Sequence, residues 1–328
     1  MPQLSVSESS TSVSEAPTQA PQHSHFHSHG DETHPHTHGA IDPTIATSER
    51  GLWAVKVSLV GLIITAIAQA AVFWLSGSIA LLADLIHNVG DAMTALPLGV
   101  AFILGRRKPT ERFAYGYGRV EDLAGVAVVG VILLSALITA YESIHRFYNP
   151  QPIHHLGALA IAAFIGFIGN ETVALFRIGV GREINSAALV ADGHHALADG
   201  LVSLAVLVSA IGVWAGYAWA DPLVGLVITA LLLKIVWESA QTIFTRLLDG
   251  VDPDIIQTLH HSAEHVTAVE SVGPIRARWL GHRLYAELDV VVAEDCSVKE
   301  GEAIADAVTL QFQEHIPYLG NAVVRITC

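Results

Sequence analysis

The chain has 328 residues, of which 52% are hydrophobic and only 15% charged. A soluble domain carries about 25% charge, so this composition excludes an ordinary soluble enzyme, and it equally excludes a disordered chain. A formal charge of −14 excludes nucleic acid as the expected partner.

Residues 1–48 are rich in Ser, Thr, Pro and His and read as a disordered tail. The tail lacks a basic region followed by an apolar core, so no cleavable signal peptide is expected. Its tract His23, His25, His27, His29, His34, His36 and His38 suits loose metal capture.

Six apolar segments follow: 52–75, 79–104, 120–144, 156–180, 186–213 and 221–248. Each is long enough to cross about 30 Å of hydrocarbon at 1.5 Å per residue. A helix satisfies its own backbone in lipid, so six transmembrane helices are expected over residues 49–248. Arg50, the basic run from Arg106 to Arg119, Arg177, Arg182 and Arg246 fall on one side of this arrangement. Only Arg146 falls on the other, which places both termini in the cytoplasm.

From residue 249 the texture becomes that of a soluble α+β domain. Asp252-Pro253-Asp254 reads as a helix start, with an amphipathic run to Val266. Residues 272–280 and 283–292 alternate as strands do. Residues 298–315 have helical periodicity, with Val298, Ile304, Ala305, Val308 and Phe312 on one face. Residues 322–327 form a last strand. Cys296 and Cys328 are the only cysteines and lie in no CxxC spacing, which excludes a thiolate cluster and a disulfide framework.

The informative residues are polar and lie inside apolar segments. Ala83-Asp84-Leu85-Ile86-His87-Asn88-Val89-Gly90-Asp91 sits in the second, and Ala191-Asp192-Gly193-His194-His195-Ala196-Leu197-Ala198-Asp199 in the fifth. Both read A-D-x-x-H-x-x-x-D. A carboxylate costs roughly 2.5–3.5 kcal/mol at the bilayer centre, so each needs a partner. His87 and Asp91, and likewise His195 and Asp199, are four apart and share a helix face. Face to face, the two helices offer two nitrogens and two oxygens, a tetrahedral set suited to Zn²⁺. Imidazole also suits Co²⁺ and Ni²⁺. The competing reading is that these side chains only link helices. It is disfavoured by the repetition and by the expected lack of an intramembrane Lys or Arg to neutralise four acids. Asp84 and Asp192 stand one step back, as supporting or proton-relay groups. His194 points to another face.

At these residues the chain resembles the cation diffusion facilitators, zinc-type members in particular. The likeness spans residues 50–328. It rests on GSIALLAD in the second span, the two H-x-x-x-D motifs, Asn170 in the fourth span, and LLDGVDPD at residues 247–254. The resemblance implies a homodimeric transporter with six spans and a cytoplasmic ferredoxin-like domain for dimerisation; with no organellar targeting signal visible, the plasma membrane, or the inner membrane if bacterial, is expected. It implies export of Zn²⁺, with Co²⁺, Cd²⁺, Ni²⁺ and Fe²⁺ as further substrates, against protons. The metal is then substrate rather than catalytic cofactor, and the site is His87, Asp91, His195 and Asp199. In some members a basic residue opening the third span pairs with an Asp after the sixth, where Arg119 and Asp249 stand. Phe113 and Tyr117 replace loop histidines found elsewhere, and Glu287, Glu302 and Arg325 lie near histidine positions of the tail domain. His282 with Glu287, Asp289, His260, His261 or His265 is the remaining option for a different tail site. Three other readings stay open: a membrane metal sensor without flux, a membrane zinc metalloenzyme, and a uniporter or channel. The enzyme reading is disfavoured by the lack of HExxH.

Overall fold

The computed structural model describes residues 43–76, 95–148, 156–217 and 219–328. Its helices are α1 (Pro43–Ser76), α2 (Ala95–Gly105), α3 (Arg119–Tyr148), α4 (Leu156–Glu183), α5 (Ala187–Trp214) and α6 (Ala220–Leu247). A second part follows as α7 (Pro253–Glu264), β1 (Ser271–Val272), β2 (Arg276–Leu280), β3 (Arg283–Val291), α8 (Val298–His315) and β4 (Leu319–Thr327).

Five helices are long and apolar enough to cross a membrane, namely α1, α3, α4, α5 and α6. Their outward faces are apolar: Ile63, Ile64, Ile67, Leu134, Leu137, Ile138, Leu175 and Val227 are all exposed. Such a surface is at home in hydrocarbon and not in water. Of the second expected span only α2 lies within the described residues, so Asp84, His87 and Asp91 lie outside them. The histidine tract of the tail lies outside them too.

Helix α1 starts at Pro43, inside the stretch assigned to the disordered tail. Proline suits a first helical turn, and the helix runs on past the apolar segment that marked the span. Hydropathy finds the lipid-crossing part of a helix and not its aqueous extension.

Helices α4 and α5 form a tight hairpin, and α1 packs on α4. Helix α3 packs chiefly on α6 and also on α5. The hairpin turn follows from its residues. Asn185 takes φ 57°. Ser186 N–H donates to Gly181 O at 2.8 Å and Asn185 N–H to Arg182 O at 3.3 Å, a Schellman ending. Ser186 then caps α5 by accepting from Leu189 N–H at 3.1 Å. The end of α6 repeats the device with Asp249 at φ 62° and Gly250 N–H on Thr245 O at 2.7 Å.

In the second part β3 is central. It pairs antiparallel with β1 and β2 and parallel with β4. The single strand expected over 272–280 is broken at Gly273-Pro274-Ile275, and the register on β3 shifts by one residue across the break. Proline cannot donate to the ladder, which explains the interruption. Leu284, Ala286, Leu288 and Val290 are buried at alternate positions under Leu259, Val308 and Phe312 of α7 and α8. Val298 was expected on the buried face of α8 but is 90% exposed. Periodicity assigns an angular position; it does not say whether a first turn has a neighbour to pack on.

Candidate functional site

The inner face of α5 carries Asp192, His195, Asp199 and Ser203, all buried. Their spacing of three, four and four keeps them on one stripe. His195 Nδ1 lies 3.7 Å from Asp199 Oδ2. Two donors on one tetrahedral zinc are roughly 3.4 Å apart at bond lengths near 2.1 Å, so the pair is close to a chelating separation. Buried Asn170 and Arg177 come from α4, and Thr65 and Gln69 from α1. A Cβ at Gly200 would lie 3.6 Å from Asn170 Cβ, which places Asn170 against the residue next to Asp199 across the helix contact. Polar side chains thus line the seam between α1, α4 and α5, whose outer surfaces are apolar. Thr65, Gln69 and Ser203 were not singled out in the sequence. The signal was present: Thr65 and Gln69 are four apart, and Ser203 continues the α5 stripe by one more turn.

Asp192 belongs to a different arrangement. Arg177 Nη1 lies 2.9 Å from Asp192 Oδ2, with side chains 1% and 0% exposed. The expectation that no basic residue neutralises the buried acids is therefore wrong for Asp192. Arg177 was counted among the charges on the cytoplasmic side although it lies within the 156–180 segment, and α4 carries it inside the bundle. His194 turns away, as its position on the helix implies, and its Nδ1 lies 2.8 Å from Ser239 Oγ of α6.

The option of a tail site on His282 is also corrected. His282 Nδ1 is 2.7 Å from Glu121 Oε2 of α3. Glu287 sits 3.7 Å from Arg278, and Asp289 accepts from Arg325 at 2.7 Å. Among the described residues no three His, Cys, Asp or Glu side chains form a group able to hold a metal ion. Phe113 and Tyr117 pack on each other with ring centroids 4.9 Å apart. Arg119 pairs with Asp249, and its Nη1 also donates to Arg246 O at 3.1 Å, closing the last turn of α6.

Apolar helices around a buried polar seam, followed by a small sheet domain, define an integral membrane protein with a soluble appendage. The family model for the cation efflux transmembrane domain matches residues 55–248, and that for the cation efflux protein cytoplasmic domain matches residues 251–326. The chain belongs to the cation efflux, or cation diffusion facilitator, family, a family of transporters. It is 46% identical to the protein of Mycobacterium tuberculosis H37Rv named "Probable cation efflux system protein", over 88% of each chain. It is 26% identical to the zinc transporter ZitB of Escherichia coli, covering 86% of this chain and 88% of that one. It is 27% identical to a cadmium, cobalt and zinc/H(+)-K(+) antiporter of Bacillus subtilis, covering 73% and 77%. Among solved structures, the cadmium form of a MamM CTD variant matches at 24% identity and TM-score 0.23, covering 23% of this chain and 95% of that one.

Proposed function

We propose that the chain exports divalent transition metals, zinc foremost, in exchange for protons, at a site made of His87, Asp91, His195 and Asp199. The observation that carries this reading is the buried His195–Asp199 pair at 3.7 Å, in a seam of polar side chains. The identical spacing of His87 and Asp91 in the second apolar segment supplies the other half of the donor set. The names of the Escherichia coli and Bacillus subtilis relatives agree with zinc, cadmium and cobalt as substrates and with proton exchange.

The architecture that goes with this function has a tail over 1–48, six spans over 49–248, and a ferredoxin-like domain over 249–328 that pairs two copies into a homodimer. Both termini are cytoplasmic, and the membrane is the plasma membrane. The chemistry follows from the donors. A metal ion needs both imidazoles neutral and both carboxylates ionised, so binding expels protons. Histidine changes charge within the physiological range, so protons from the far side compete for the same atoms and release the ion. Rocking of helices exposes the site first to one face and then to the other.

The test is coupling. Purified chain in liposomes carries a pH-sensitive dye in the lumen, and zinc is added outside. Zinc entry with lumenal alkalinisation is the expected result. Zinc entry at constant lumenal pH, indifferent to an imposed pH gradient, contradicts antiport and leaves a uniporter.

A further inference from the structure

A second buried polar cluster lies away from the α5 stripe, where the sheet domain meets the helices. Glu121 and Asp122 open α3, His282 and Arg283 lie at the β2–β3 turn, and all four side chains are buried. His282 is held at both ring nitrogens. Nδ1 is 2.7 Å from Glu121 Oε2, and Nε2 is 2.9 Å from Thr47 Oγ1 of α1. Arg283 donates to the same Thr47 hydroxyl at 3.0 Å, and Gly281 N–H donates to Asp122 Oδ2 at 3.3 Å. One imidazole therefore joins α1, α3 and the sheet domain.

The approach is too close for ordinary side chains. A Cβ at Gly281 would lie 2.8 Å from Glu121 Oε2 and 2.9 Å from Gly118 O, and Gly281 also takes φ +63°. Glycine at the first position of a two-residue hairpin turn meets both demands. The consequence reaches the transport seam. Helix α1 packs on α4, which carries Asn170 and holds α5, while α3 packs chiefly on α6. The His282 contacts thus tie α1 and α3 to the same hairpin.

We propose that His282 is a positioning residue of the transport cycle, the strut through which the sheet domain holds the near ends of α1 and α3 in one arrangement. The proposal rests on the transport reading and adds to it a link from the sheet domain beside the Arg119–Asp249 pair, Arg119 Nη1 lying 3.7 Å from Asp122 Oδ2. The strut needs two hydrogen bonds on one side chain. Without them Glu121 keeps its burial and loses a partner, and the arrangement of α1 against α3 loosens.

The test uses the full chain in liposomes, with proton-driven zinc uptake measured across zinc concentrations. His282→Ala is expected to lower the maximal rate at least about tenfold, the loss of one charge-assisted hydrogen bond, while the half-saturating zinc concentration stays within about twofold. His282→Gln, whose amide can serve both neighbours, restores most of the rate. His282→Ala combined with Glu121→Leu falls no further than His282→Ala, because both cut the same link. A native rate in His282→Ala, a half-saturating concentration that moves as far as the rate, or losses that add in the double variant each overturns the proposal. Should His282→Ala fail to fold, Glu121→Leu carries the same comparison. Hydrogen exchange reads the strut without flux. Amides 281–283 and those around Thr47 are expected to exchange faster in His282→Ala and Glu121→Leu, and unchanged exchange overturns the strut. A native chain that moves no zinc defeats the transport role itself, and the exchange measurement then decides the strut alone.

Discussion

Arg177 and Asp192 are the clearest lesson at the scale of single residues. They are buried at 2.9 Å inside the α4–α5 hairpin, with Asp192 three residues before His195. Two charges leave water at a cost that only their mutual attraction offsets. Removing one partner strands the other, at about 3–5 kcal/mol, whereas replacing both by apolar side chains of similar volume is often neutral. Arg177→Met is therefore expected to lower the unfolding temperature in detergent sharply, and Arg177→Met with Asp192→Leu to recover most of the loss. A double variant as unstable as the single one contradicts this account. His195 and Asp199 were legible because a four-residue spacing places donors on one helix face whatever surrounds them. Arg177 was not: it lies within the 156–180 segment, but so near its end that hydropathy does not tell a buried charge from one that reaches the interface.

At the scale of elements, the ends are set by local chemistry that composition reports poorly. The Asp252-Pro253 start of α7 was readable, and Asp252 Oδ1 does accept from Asp254 N–H at 3.0 Å. The start of α8 carries a full capping box: Ser297 Oγ accepts from Glu300 N–H at 3.3 Å, and Glu300 Oε2 accepts from Ser297 N–H at 2.9 Å. The Ser297 side-chain and backbone hydrogen bonds hold the Glu300 carboxyl below its ordinary value of 4.5. A depressed carboxylate adds stability above its unfolded pKa and loses it as pH falls through the folded value. The first-turn amides of α8 are accordingly expected to lose exchange protection between neutral pH and pH values below 4.5, after correction for intrinsic rates. Ser297→Ala should remove most of that acid sensitivity, and an unaltered pH response in this variant counts against the box. The break between β1 and β2 hid behind an apolar run, since alternation continues through Gly273-Pro274-Ile275 while the ladder does not.

For the whole molecule, the sequence showed the division into an apolar helical part and a polar α+β part because the two need different solvents. It did not show how they meet. Glu121, Asp122, His282 and Arg283 are charged or titratable side chains 160 to 162 positions apart in pairs across the seam, and nothing in local pattern predicts that they are buried together. Buried polar groups earn that position only with partners, and the seam supplies them from α1, α3 and the β2–β3 turn. The seam between α1, α4 and α5 obeys the same rule, with its polar atoms turned inward and its apolar surface left to lipid. A central claim joins these scales: the polar stripe on α5 binds the exported ion. Radioactive zinc uptake into liposomes under an imposed pH gradient tests it most directly, comparing the native chain with Asp199→Ala. Gradient-driven uptake by the native chain that vanishes in the folded variant is the predicted result. Equal uptake by both would contradict the assignment of the site to His195 and Asp199.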